Sequence, residues 1–502
     1  MKPIHTIRRR INRRRAWPVV AAFLFGIASV DPVAAQRSLQ PEGWADRVKG
    51  PEAADLNPDP RVVEINLEAR IARVEIAPGT FADAWTYNGG LPGPTIRVRV
   101  GDRLIVHFRN ALTDPTTVHW HGLRIPIAMD GVPVHSQPEV KPGGSFTYDF
   151  IVPDAGLFWY HPHVMSAAQV GFGLYGALVV EDPAETVGVA DELVLVLSDI
   201  ALNEDRTLEA PDSGGSTAMV FGREGSHVLV NGRQKSTVVV RSGAPQRWRI
   251  VNAAKSRYFN LDLGGTPFTQ IGGDGGLQEY AVDHDMLVLG PGERADVIVT
   301  PRLKPGQTIT LRSILFNRGF GSVEARFPFD DLFTMTAADV PSYSGGPRPS
   351  VTRSIEPLRQ EGATRVDLEL LLEQPPDSAP EYLIRGPLYS AKHKALHAKV
   401  GETQIWTVKN TTQWSHPFHL HGFFFQVLDD QGAPVRPMAW KDTVDIPFEK
   451  TVRLIVRFDD REGVVGSWMV HCHILDHAEG GLMGVVEVGD VQSTPHAHNA
   501  SH

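Results

Sequence analysis

Apolar and polar residues alternate with a period of two over much of this chain. Leu104 to Phe108, Leu193 to Leu197, Ser236 to Val240, Asp296 to Thr300 and Val452 to Val456 all read this way. These runs are rich in β-branched side chains, the pattern of half-buried strands. No long stretch keeps a helical period. One motif recurs in a fixed frame: Gly101 leads through an alternating run to Asn110, Gly243 through Trp248-Arg249-Ile250-Val251 to Asn252, and Gly401 through Ile405-Trp406-Thr407-Val408 to Asn410. Each Gly-to-Asn interval is nine residues, and one falls in each third of the chain. Such a repeat marks a triplicated unit and predicts an all-β chain of three tandem β-sandwiches.

Punctuation of the chain sets the expected boundaries. Glu181-Asp182-Pro183 closes the first unit, and a Pro, Ser and Gly stretch from Val340 to Pro357 joins the second to the third. The predicted domains are therefore 36–183, 184–340 and 341–490, followed by a loose tail, 491–502, that carries His496, His498 and His502. Residues 1–35 stand apart. Lys2 and the arginines at 8–10 and 13–15 precede an apolar run from Val19 to Val30 and then Val33-Ala34-Ala35, the layout of a cleavable export signal. The two arginine clusters are compatible with a twin-arginine signal. The apolar run is too short for a membrane helix, which needs about 20 residues, and no other segment approaches that length. The expected product is a periplasmic or secreted protein with no membrane anchor after cleavage.

Composition narrows the function further. With 42% hydrophobic and 21% charged residues, 47 Gly and 38 Pro, this is a turn-rich globular protein, not a coiled coil or a disordered chain. Loss of residues 1–35 removes seven positive charges and Asp31, so the net charge moves from −9 to −15. Such a surface repels nucleic acid and anionic lipid. The single cysteine, Cys472, cannot form an intramolecular disulfide, so stability must come from packing.

Chemistry is concentrated in histidine pairs. Random placement of 20 His predicts fewer than one His-x-His, yet the chain has five. One lies in the tail. The others are His119-Trp120-His121-Gly122, His161-Pro162-His163, His419-Leu420-His421-Gly422 and His471-Cys472-His473. In a strand, residues i and i+2 share a face, so each pair can present two imidazoles to one cavity. His119 and His121 follow Asn110 at the same spacing as His419 and His421 follow Asn410, whereas the middle repeat has Asn260 and Asp262 near those places. The first and third units are thus expected to share an eight-imidazole site, with the second as a spacer. A further cluster joins Cys472 to His416 and His477. A His2Cys set is the trigonal copper type; zinc would ordinarily bring a fourth strong ligand, and none is evident here.

These four motifs, His-Trp-His-Gly, His-Pro-His, His-Pro-Phe-His-Leu-His-Gly and His-Cys-His-Ile-Leu-Asp-His, resemble the copper motifs of three-domain, laccase-like multicopper oxidases of bacterial type, in the same order. The likeness spans nearly all of residues 60–490, including Gly290-Pro291-Gly292-Glu293-Arg294-Ala295-Asp296. It implies cupredoxin-like Greek-key domains and four copper ions. By position, His416, Cys472 and His477 would hold the type 1 copper and His119 and His419 the type 2 copper. His121, His161, His163, His421, His471 and His473 would hold the type 3 pair. The implied reaction joins four one-electron oxidations of a donor to reduction of dioxygen to two waters, with Cys472 linking both sites through His471 and His473. Asp130 and Glu479 match positions that are acidic in relatives and are expected to serve proton supply. Asp442 and Asp445, near Trp440, read as loop residues bordering the electron-receiving end at most. The family's axial place, ten residues after the cysteine, holds Leu482, which has no coordinating atom and implies a raised reduction potential. The alternative is a backbone shift that brings in Met483.

The donor is less constrained, because outer-sphere transfer needs only proximity to His477. The nine Met are scattered, without the thioether cluster expected of a Cu(I) oxidase, which favours phenolic or aromatic amine donors over Cu(I), Fe(II) or Mn(II). A non-enzymatic copper-binding or scaffold relative would be expected to have lost ligands, and none of the motif positions is lost.

Overall fold

The computed structural model describes residues 37–319, 329–345, 353–386 and 395–489. The expected export signal, the tail histidines and part of the second linker lie outside the described residues. Six sheets form, two in each third of the chain. In every third the first sheet contains a parallel pair: Val62–Ala77 with Arg103–Asn110, Glu192–Ile200 with Gln246–Asn252, and Thr364–Glu373 with Thr403–Asn410. The facing sheet is also built alike, with Gly93–Arg99 parallel to Gly176–Glu181, Ser236–Val240 to Phe329–Ala337, and Ala395–Ala398 to Met483–Val488.

Alternation explains the layering. Along Arg103–Asn110 the side chains of Leu104, Val106, Phe108 and Asn110 are buried while Arg103, His107 and Arg109 are exposed. Each apolar layer draws on both of its sheets. Leu104, Val106 and Phe108 meet Trp120, Phe158 and Leu178 in the first; Leu195, Trp248 and Val297 meet Phe259, Leu311 and Phe333 in the second; Leu368, Trp406 and Leu454 meet Phe418, Trp468 and Val486 in the third. These are three β-sandwiches. A separate apolar layer, including Trp159 and Val179 of the first and Val196, Leu229 and Val251 of the second, seals those two together. Among the described residues the α-helices are few and short: α1 (Ser166–Gly171), α2 (Gly215–Phe221) and α3 (Leu475–Glu479).

The nine-residue motif now has a physical basis. Gly101, Gly243 and Gly401 take φ values of 79°, 78° and 80°, a left-handed turn that favours glycine. Each motif asparagine then clamps the loop after its strand. Asn110 Nδ2 donates to the carbonyls of Asp114 and Val140, while its Oδ1 accepts the Leu112 N–H. Asn252 does the same with Arg257, Leu289 and Ala254, and Asn410 with Trp414, Ile446 and Thr412. In the first and third sandwiches that loop leads directly into the strand of the first histidine pair. Asn252→Ala, in the sandwich without histidine pairs, strands two carbonyls and an N–H. It should cost about 1–3 kcal/mol, read as a lower Tm by calorimetry, with metal content unchanged. An unchanged Tm would show that the clamp carries no stability.

Candidate metal centres

Strand register brings the histidine pairs together within each sandwich. His119–His121 runs antiparallel to Gly156–His161, with His119 opposite His161. His416–Leu420 runs antiparallel to Gly466–Cys472, with His419 opposite His471 and Phe418 opposite Cys472. The first and third sandwiches then meet so that their imidazoles interleave: His119 stacks on His421 at 3.9 Å and His121 on His419 at 3.8 Å between ring centroids. His163 and His471 lie 5.3 Å apart, and His161 and His473 5.5 Å. The ligand atoms of His121, His161 and His473 lie within 4.8 Å of one another, as do those of His119, His163 and His421, and of His419, His421 and His471. All eight predicted imidazoles thus share one space, and the middle sandwich contributes none.

Hydrogen bonds fix which nitrogen faces inward. His119 Nδ1 donates to the Asp130 carbonyl at 2.8 Å, and His421 Nδ1 to Asp130 Oδ2 at 2.9 Å. His419 Nδ1 donates to the Asp442 carbonyl at 2.9 Å, His161 Nδ1 to that of Pro162 at 3.0 Å, and His471 Nδ1 to that of Cys472 at 2.8 Å. His121 is turned the other way, its Nε2 donating to Asp442 Oδ1 at 3.1 Å. What remains is a set of buried nitrogens without a hydrogen-bond partner: Nε2 of His119, His161, His163 and His419, Nδ1 of His121, and both of His473. Unpaired buried acceptors are costly, and a cluster of them aimed into one space fits metal ions. Burial also favours the neutral ring at most of the eight positions, pushing His471 down to about 3 and His121, His161, His163, His421 and His473 well below the ordinary value.

The cysteine cluster is separate and adjoining. Cys472 Sγ lies 3.5 Å from His416 Nδ1 and 3.8 Å from His477 Nδ1, and the two Nδ1 atoms are 3.1 Å apart. His416 Nε2 donates to Thr412 Oγ1 at 2.7 Å, and His477 Nε2 to the Val220 carbonyl at 3.0 Å. Both Nδ1 atoms therefore carry lone pairs that face each other and the sulfur. That repulsive arrangement fits a cation at its centre. Burial pushes the Cys472 thiol up, so only a bound metal would favour its thiolate. Leu482 is fully buried, its carbonyl accepting the Cys472 N–H at 3.0 Å, in the same apolar layer as Cys472. Met483 begins the strand Met483–Val488 on the opposite, partly exposed side of the alternation, opposite His471.

The acidic residues divide differently from expectation. Asp130 sits among the imidazoles. Glu479 instead accepts the Ala167 N–H of α1 at 2.9 Å, and its described hydrogen bonds include no imidazole. Asp442, expected as a loop residue that at most borders the electron-receiving end, lies on the imidazole side. This fully buried carboxylate holds His121 and is gripped through both oxygens by the guanidinium of Arg294, which also donates to the carbonyls of Leu157, Gly292 and Asp274. Burial alone would raise Asp442, but Arg294 holds its carboxyl well below the usual range. This one contact joins the first sandwich (His121), the second (Arg294) and the third (Asp442). Gly122 is glycine because a Cβ there would stand 2.6 Å from both Arg294 and Asp442. Asp445 does adjoin the cysteine side, accepting the Tyr258 hydroxyl at 2.8 Å.

Comparison with known proteins agrees with this architecture. Multicopper oxidase family models match residues 69–185, 191–312 and 365–492. Among curated relatives, the multicopper oxidase MmcO of Mycobacterium tuberculosis is 30% identical over 84% of this chain and 86% of its own length. A laccase of Bacillus subtilis is 28% identical over 81% and 90%. Among solved structures, a multicopper oxidase from Campylobacter jejuni described as a metallo-oxidase aligns with a TM-score of 0.76 at 26% identity, covering 90% of this chain and 99% of that one. Interleaved imidazoles, a His2Cys cluster beside them and three matched domains together place the chain in the multicopper oxidase family, as a copper oxidoreductase that uses dioxygen.

Proposed function

We propose that the enzyme couples one-electron oxidation of phenolic or aromatic amine donors to reduction of dioxygen to two waters. Four copper ions would be held: one by His416, Cys472 and His477, one by His119 and His419, and a pair by His121, His161, His473 and by His163, His421, His471. Bound copper supplies the one-electron redox chemistry and the oxygen-reducing site. The protein supplies connection and order. Cys472 is bonded through the chain to His471 and His473, so an unbroken covalent path runs between the two ligand sets. Asp130 holds His119 and His421 in the tautomer that points Nε2 inward, and it is a buried carboxylate from which protons can reach the imidazole space. The domains proposed are 36–183, 184–340 and 341–490, the middle one free of copper, although Trp44, Ala45 and Val48 pack into the apolar layer of the second sandwich. Residues 1–35 direct export to the periplasm or beyond, so amino-terminal sequencing of the isolated enzyme should begin near Gln36, and a retained Met1 would contradict export.

Leu482 carries the choice of donor. An apolar, fully buried residue beside Cys472 favours a high-potential copper, suited to phenols, which are harder to oxidise than Cu(I). Leu482→Met should lower the type 1 potential in a redox titration; no fall would contradict the axial assignment. Oxygen uptake by the copper-loaded enzyme should be faster with a dimethoxyphenol than with Cu(I) at matched concentration. The reverse order would make it a metal-ion oxidase instead. In the same chamber Asp130→Asn should slow uptake about 10- to 100-fold, and uptake unchanged across pH would remove Asp130 from the reaction.

A further inference from the structure

The donor must deliver its electron near His477, yet His477 is fully buried. Its cover comes from another sandwich. Between strands Glu192–Ile200 and His227–Val230 of the second sandwich, a strap formed by residues 211–225 carries α2 across α3, which bears His477. The Val220 carbonyl on this strap accepts the His477 Nε2–H at 3.0 Å and the Tyr382 hydroxyl at 2.7 Å. Tyr382 covers the imidazole face, with ring centroids 4.4 Å apart. The His477 ring N–H that a phenol could use as a partner is therefore already taken by a backbone carbonyl, and a phenol can reach it only by displacing the Val220 carbonyl.

The strap is held by polar contacts together with an aromatic edge contact, Phe221 on Trp414 at 5.5 Å. None of the seven residues of α2 is buried. Besides the two bonds to the Val220 carbonyl and the ion pairs of Glu224 with Arg257 and Arg318, its hold includes a fork from Arg223, whose Nη1 donates to Asp476 Oδ1 at 2.5 Å and whose backbone N–H donates to Asp476 Oδ2 at 2.8 Å. The same guanidinium ties the strap to itself through the carbonyls of Ser213 and Gly215. Glycines with positive φ stand at both ends of α2: Gly214 at 74°, Gly215 at 59° and Gly222 at 76°. Such positions can absorb large backbone changes, and a segment whose α2 residues all keep some exposure opens more readily than the sandwich cores.

Resting on the reading of His477 as the electron-receiving residue, we infer that the 211–225 strap selects donors: phenols gain contact with His477 only when the Arg223–Asp476 latch opens, whereas the closed strap admits only electron transfer through α2. Two variants open it by different means. Arg223→Ala removes the fork, and Gly222→Ala places a Cβ 2.8 Å from Ile474 Cγ2 and 3.1 Å from Ser256, lifting the strap without changing charge. Hydrogen exchange on the copper-loaded enzymes, followed by mass spectrometry of peptides covering 211–225, should quicken about tenfold in both variants. The kcat/KM for 2,6-dimethoxyphenol should rise about three- to tenfold, with the type 1 optical spectrum retained. Unchanged exchange in both variants overturns the inference, and so does faster exchange with unchanged kcat/KM. Oxidation of no phenol by wild type or variants, while Cu(I) is oxidised, contradicts the donor reading above; kcat/KM for Cu(I) in the loosened variants then decides whether the strap gates access.

Discussion

Imidazoles crowded into one buried space are best kept neutral, with the outward nitrogen held by an acceptor. Two charged rings would repel each other at stacking distances near 4 Å, and a hydrogen bond at the outward nitrogen fixes a ring's orientation. Backbone carbonyls at Asp130, Pro162, Asp442 and Cys472, and carboxylates at Asp130 and Asp442, meet that condition for most of the cluster. They lie just beyond or between the histidine strands, so the same backbone that places the imidazoles also sets their tautomers. Much of the remaining structure serves to hold these acceptors still.

The middle sandwich, which has no histidine pair, contributes through Arg294. A fully buried guanidinium is tolerated only when all its donors are taken, and here Asp442 and three carbonyls take them. Removing it would leave Asp442 charged and unpaired beside His121 and His419. The second sandwich is thus a structural member of the imidazole site, and its α2 strap reaches the cysteine site as well. Calling it a spacer understates it.

Much of this was legible in the sequence, for a local reason. Period-two alternation and the nine-residue Gly-to-Asn frame report the strands, and the i, i+2 rule reports which imidazoles share a face. The Cys472 cluster follows from the same strands. Less legible were contacts made across the fold. Asp442 reads as a loop residue because its partners, His121 and Arg294, are distant along the chain, and nothing nearby signals a buried ion pair. Glu479 follows His477 closely, but the short α3 turns it toward Ala167. The strap has no periodicity, so neither its path over His477 nor its latch to Asp476 could be read from residue order. The Gly290-to-Asp296 motif stood out only as a likeness; its Arg294 proves to be the anchor at the junction of the three sandwiches.

The central claim is that two ligand sets, one built on Cys472 and one on eight imidazoles, hold different coppers. Copper per chain, measured by mass spectrometry on wild type and on Cys472→Ser, tests it most directly. The account predicts about four in the wild type and about three in the variant, with the sulfur-to-copper absorption lost and the remaining coppers retained. Equal copper in both proteins, or loss of all copper from the variant, would contradict it.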